Sequence, residues 1–398
     1  MPSVKRTDAN KGEAGDHTGS PVLANIFLDL LGFQPPSPAL SLTHSPTPAV
    51  PLPHGHGVVG DMIRPKMGKP RIRGIEPKVA LPGGLVRIAV EGIDASGGDV
   101  AVSFDSRRAA LLGVSSKSML ARVPAVAGKC SVTAEQRGAS SSSITVYIGS
   151  QIAAELNPVA NPATDKAGNI YVTFSGPRGA SVPFSVYRIS AQSDAKEPFL
   201  ADILNATGIV VGPDDTIYIS SRHTGTVYKS DMSRKIEKFA ENLGIATGVA
   251  LDAAGNLYVG DRGGPIHKLD PTGRDEVLCE IEPSVSAFHL AMRQDGVLFV
   301  SGPTLATQDG IYEIGKDRKP KVFFRGIGRP QGIAFDSSGR LLVAGSYKGE
   351  RGIFAIGPER KVEKILSSTM LVGLAITPGN DLILADSNSL YRIPAGYW

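Results

Sequence analysis

Residues 248–260 read GVALDAAGNLYVG. β-branched and aromatic residues fill both ends, and Ala-Ala-Gly-Asn sits between them. The pattern predicts two short antiparallel strands around a tight turn. The same phrase recurs. NPATDKAGNIYVT starts at Asn161, GIVVGPDDTIYIS at Gly208 and HLAMRQDGVLFVS at His289. GIAFDSSGRLLVA starts at Gly332 and GLAITPGNDLILA at Gly373. The spacings are 47, 40, 41, 43 and 41 residues. A period near 40 with a hairpin inside each unit predicts a radial β repeat.

Each unit adds a third strand, visible as VYRI from Val186, VYKS from Val227, IHKL from Ile266, IYEI from Ile311, IFAI from Ile353 and LYRI from Leu390. A charged fourth strand follows, as in KIEKFAE (235–241) and KPKVFFR (319–325). A polar outer strand suits a rim that meets water. The sixth unit ends at LYRIPAGYW without a fourth strand, and QIAAEL (151–156) precedes the first unit without a hairpin of its own. The expectation is an all-β, six-bladed β-propeller over 150–398, closed when 151–156 supplies the missing strand. Closure removes two exposed sheet edges.

Upstream, residues 70–149 carry short alternating segments: LVRIAVEGI, DVAVSF, MLARVPAV, KCSVTAEQRG and SITVYIG. Gly, Ser and Pro turns separate them, which predicts a small antiparallel β-sandwich. Residues 1–69 hold ten of the 29 prolines and little to bury, so a flexible, mostly disordered tail is expected. Within it Val22–Phe33 forms an apolar island with helix signals at Ser20, Pro21 and Gly32. It reads as a docking segment or as a loose helix. PHGHG (53–57) lacks carboxylates or cysteines at ligand spacing and reads as a solvated loop.

The net charge of +4 over 398 residues argues against a nucleic-acid binder, which carries a dense basic stripe. Cys130 and Cys279 fall in different segments, so no disulfide framework is indicated. No apolar run is long enough to span a membrane, and no secretory leader is visible. Cytoplasm is the default compartment, with an extracytoplasmic location left open.

In a radial blade the start of the first strand and the loop after the second share one face. The first-strand starts carry Ala160, Thr207, Thr247, Phe288, Gln331 and Val372. The loops carry Arg178, Arg222, His223, Asp261, Arg262, Thr304, Lys348, Glu350 and Arg351, with Arg329 just before the fifth start. Six basic residues against two acidic ones predict a site for an anionic small molecule or an acidic partner protein. The alternative is a solvated rim with local pairs such as Asp261 with Arg262. His289 stands where four units have Gly, which places an imidazole near the axis as a candidate catalytic group or a space-filling residue. There is no Gly-x-Ser-x-Gly elbow, and GPRG (176–179) and GDRGG (260–264) precede no helix, so a phosphate cradle is not indicated.

Two resemblances follow. Pro70-Ile72-Ile75-Pro77, Gly83-Gly84 and Val123-Pro124 resemble the IPT/TIG domain, an immunoglobulin-like module that implies a spacer or binding role. The Gly-apolar-Ala-apolar-Asp…Gly-Asn-Leu-Tyr-Val phrase resembles the NHL-repeat and senescence-marker-protein/gluconolactonase propellers. The second group implies hydrolysis of a sugar lactone with one divalent cation, Ca or Zn, held by a Glu, an Asn and an Asp around the axis. Here Ala160, Thr247 and Gln331 occupy those places, and no first-strand start is acidic. The leading expectation is therefore a binding scaffold with no predicted cofactor and no metal. Its contacts are Arg178, Arg222, His223, Asp261, Arg262 and Lys348, with His289, Gln331 and Thr247 near the axis. Lactone hydrolysis is the alternative.

Overall fold

The computed structural model describes residues 68–398 apart from Gly97. The segment Val22–Phe33 and the histidines of 53–57 lie outside the described residues. Every described element is a β-strand. Among the described residues no helix is long and apolar enough to cross a membrane.

The repeat region forms six four-stranded antiparallel units. The first runs Ala163–Thr164, Ile170–Thr173, Val186–Ile189 and Lys196–Leu200 in hydrogen-bonded order. The second to fifth repeat that order. In the sixth, Gly373–Ile376, Leu382–Ala385 and Leu390–Ile393 are completed by Ser150–Ala153, which pairs antiparallel with the third strand through Ser150↔Arg392 and Gln151↔Tyr391. The innermost strands touch in cyclic order, the sixth returning to the first.

The recurrent turn has a local cause. In the first unit Asp165 accepts hydrogen bonds from Asn169 N (2.8 Å), Asn169 Nδ2 (2.7 Å) and Tyr171 Oη (3.1 Å). In the third, Asp252 accepts the same set from Asn256 and Tyr258. One carboxylate thus latches the hairpin and satisfies turn donors that would otherwise be buried alone. Burial, with the carboxylate beside it, pushes the hydroxyls of Tyr171 and Tyr258 up to about 12.

The strands bury their inner residues between neighbouring units. Tyr171, Ile209, Ile217 and Ile219 pack between the first and second, and Phe299, Ile333, Val343 and Phe354 between the fourth and fifth. Gly208, Gly248 and Gly373 stand where innermost backbones nearly touch. A Cβ there would lie 2.2 Å from Thr247 O, 2.2 Å from Phe288 O and 2.4 Å from Ala160 O respectively. Only Gly permits that approach.

Residues 71–148 make two sheets, antiparallel except at Val79–Ala80, around one core that includes Ile75, Val86, Ile88, Phe104, Met119, Val132 and Ile148. Leu85–Glu91 alternates buried and exposed positions, as a strand with one wet face must. The two-residue strand Val79–Ala80 lies parallel to Ile144–Ile148 on one side and to the fifth unit's outer strand Val362–Ser367 on the other. The sandwich and the fifth unit therefore share one continuous sheet. Sequence patterning did not anticipate this, because two residues carry no periodicity.

Candidate functional site

The loops after the second strands do meet the starts of the first strands. Arg222 N donates to Asn205 O (3.3 Å) and Arg262 N donates to Ile245 O (3.0 Å). Asn205 is fully buried and ties two units together. Its Oδ1 accepts from Gly179 N (2.7 Å), and its Nδ2 donates to Gly176 O (2.8 Å) and Pro177 O (3.0 Å). This holds the loop that carries Arg178 against the strand beside Arg222. His223 lies on the same loop contact: a Cβ at Gly179 would sit 3.2 Å from its Cε1.

Three guanidiniums gather at this end. Burial, then the charges of Arg262 and Arg178, hold Arg222 below the usual arginine range. Its Nη2 makes one long bond to Gly176 O (3.4 Å), and its Nε is buried without a partner. Arg178 and Arg262 are exposed. Among the described residues none of the three forms an ion pair with a carboxylate. Two carboxylates of these loops serve backbone donors. Asp261 Oδ1 accepts from Ile245 N (2.8 Å) and Gly263 N (2.9 Å). Asp309 accepts from Thr304 N (2.7 Å) and Arg329 N (2.8 Å). The Asp261–Arg262 pair offered as an alternative does not form, because that carboxylate serves as a loop staple.

Of the residues expected near the axis, Thr247 and His289 are sealed and Gln331 is half-buried. Thr207, Thr247, Phe288 and His289 are each 1% exposed or less. Thr247 Oγ1 donates to Gly260 O (2.8 Å) and accepts from Phe288 N (3.1 Å). His289 Nε2 bonds Gln331 Oε1 (3.2 Å). Since an amide oxygen only accepts, Nε2 carries the proton, and Nδ1 is left as a buried acceptor without a partner. Burial holds the imidazole at a pKa of about 4, against which the Gln331 bond works only in part, so it is neutral near pH 7. His289 opens its strand paired directly with Ser301, whereas the strands of Gly208 and Gly248 carry a bulge at that point.

Lys348 lies elsewhere. It is the tip of an extended hairpin, Leu341–Tyr347 with Glu350–Ile356, and lines a groove shared with the sandwich. Sequence reasoning placed it by position after the second strand and had no signal for the hairpin's length. A separate cavity of about 630 Å³ occupies the axis at the turn end of the inner strands, lined by Asn161, Val211, Leu251, Met292, Phe335 and Ile376 among others.

The positions that the gluconolactonase resemblance aligns with metal ligands do not fit a cation. Ala160 is a buried methyl group, and the oxygens of Thr247 and Gln331 are committed as above. Among the described residues no three His, Cys, Asp or Glu side chains converge as ligands. Hard cations need converging, charge-neutralising oxygens.

No known protein-family profile matches the chain, and no curated protein matches it by sequence. Solved structures match by shape. A structural-genomics protein of unknown function from Bacteroides thetaiotaomicron VPI-5482 superposes with a TM-score of 0.51 at 14% identity, covering 83% of this chain and 99% of its own. A gluconolactonase-family protein gives 0.51 at 13% identity over 62% of this chain and 91% of its own. An auxiliary nutrient binding protein from Bacteroides ovatus ATCC 8483 gives 0.49 at 11% identity over 82% and 98%. At these identities the likeness concerns the fold, and it is a propeller fold.

Proposed function

We propose that the chain is a six-bladed propeller with an immunoglobulin-like sandwich, and that it binds an anionic small molecule on the face of Arg178, Arg222 and Arg262. One observation carries this reading: three guanidiniums share a loop cluster in which none forms an ion pair among the described residues, while Asp261 accepts from backbone donors. Like charges brought together without counter-ions favour an incoming anion, and guanidinium forks suit carboxylate or phosphate. Arg222 Nε and the hydroxyl of Ser175, both buried without protein partners, add two polar atoms that a ligand could satisfy. His223 borders the cluster, and Asp261 acts by holding the Arg262 loop. His289 supports Gln331 from within and does not contact the ligand.

Calorimetric titration with inorganic phosphate tests the site. Arg222→Met should weaken phosphate binding by about 10- to 100-fold, the range for losing a charge-assisted hydrogen bond. The affinity should fall steadily as NaCl rises. Salt-insensitive binding, or unchanged affinity in Arg222→Met, would sink the proposal. Cation-dependent lactone hydrolysis is the weaker reading, since the axial oxygens do not fit a metal. Turnover of a sugar lactone with Ca²⁺ or Zn²⁺, abolished by a chelator, would reverse the ranking.

A further inference from the structure

The junction between sandwich and fifth unit holds a second, separate concentration of positive charge. A groove of about 520 Å³ is lined by Arg87 and Arg122 from the sandwich and by Lys348, Arg351 and Lys364 from the fifth unit. Glu350 is the one acid on its wall. That carboxylate is taken: Lys364 Nζ lies 2.9 Å from one oxygen and Arg87 Nη2 4.0 Å from the other. The Lys364 side chain is only 16% exposed. Arg122 Nη1 donates to Gly83 O (3.2 Å), and Lys348 Nζ stands 5.3 Å from the Tyr347 ring centre. Among the described residues Arg122, Lys348 and Arg351 form no ion pair.

The groove is built by features that the repeat itself does not require. The Gly83-Gly84 pair lets the sandwich backbone close on the outer strand of the fifth unit. A Cβ at Gly84 would lie 2.7 Å from Ser367 O, and one at Gly83 2.9 Å from Thr369 Cγ2. Leu81 N donates to Ser367 O (2.8 Å) and Leu85 N to Ser367 Oγ (2.9 Å), which pins the two walls. The fifth unit's second and third strands run seven residues each, and the two-residue turn Lys348-Gly349, both at positive φ, aims a lysine at the rim. Ser368 and Thr369 place hydroxyl groups on the wall.

We infer that this groove binds a small ligand carrying at least two phosphate or carboxylate groups, bridging Arg87 and Arg122 on one wall to Lys348 and Arg351 on the other. The volume falls in the range of small-molecule pockets. Five cations against one acid, on walls that approach closely, concentrate a field that a single anionic group cannot neutralise. A ligand held by both walls also ties the sandwich to the propeller, so binding raises the melting temperature of the whole chain.

The test uses inorganic pyrophosphate and inorganic phosphate as probes, read by calorimetry and thermal melting on the full chain. Pyrophosphate should bind at least about tenfold more tightly than phosphate and raise the melting temperature. The double variant K348A/R351A, changing two exposed side chains, should weaken pyrophosphate by about tenfold or more. Glu350→Gln removes the opposing charge and should tighten it by about threefold or more. The inference is overturned if pyrophosphate gives neither heat nor a melting shift up to about 5 mM. It is equally overturned if Glu350→Gln weakens binding, or if Arg222→Met abolishes the signal while K348A/R351A leaves it intact.

Discussion

His289 makes the acid sensitivity of this fold calculable. Its folded pKa is about 4 against 6.5 for the free side chain, with burial the principal cause. Below pH 6.5 the unfolded chain takes up a proton that the folded chain refuses, so stability must fall as pH drops. The loss begins near 6.5 and levels off below about 4. At 1.36 kcal/mol per unit, the full penalty is about 3 kcal/mol, and about 2 kcal/mol of it is spent between pH 7 and pH 5. Other groups titrate in that window too, so the measurement is a difference. Urea unfolding followed by far-UV circular dichroism at pH 7 and pH 5 compares wild type with His289→Gln. The variant should start less stable, having lost packing around a buried ring. It should then lose about 2 kcal/mol less than wild type on acidification. Equal losses in the two proteins would show that His289 protonates freely in the folded state. The closed packing around His289 would then be wrong.

Two further outcomes follow from the same packing. Gly248→Ala puts a Cβ 2.2 Å from Phe288 O and 3.1 Å from His289 Cα, backbone atoms that cannot swing away. It should cost about 3 kcal/mol and lower the melting temperature by roughly 6–12 °C; a drop under about 2 °C would mean that the inner strands are looser than drawn. Burial pushes the thiols of Cys130 and Cys279 up to about 11, so roughly one in a thousand is thiolate at pH 8. Iodoacetamide should label neither in the native protein within minutes and both in urea, and prompt native labelling of either thiol would contradict that environment.

Much of the architecture is local and so was readable from residues alone. The Asp-x-x-Gly-Asn turn, the alternating strands and the charged outer strands each act within a few residues of chain. Their recurrence near every 40 residues announced a radial all-β repeat. The arginine cluster was partly readable as well, because residues that follow a second strand must emerge on one face. What remained hidden depends on groups distant in sequence. Thr247, His289 and Gln331 were expected near the axis, but the burial of Thr247 and His289 arises only where the inner backbones converge. Asp261 looked like a partner for its neighbour Arg262. The fold turns its carboxylate toward Ile245 N and Gly263 N, since those donors would otherwise lie half-buried and unpaired. Lys348 followed the same positional rule as Arg222, yet a longer hairpin carries it to the sandwich. Val79–Ala80, too short for any pattern, fuses two sheets because the fifth unit's outer strand offered an open edge. Local sequence decided which strands and turns exist. The meeting of distant backbones decided which polar side chains face solvent and which are closed away.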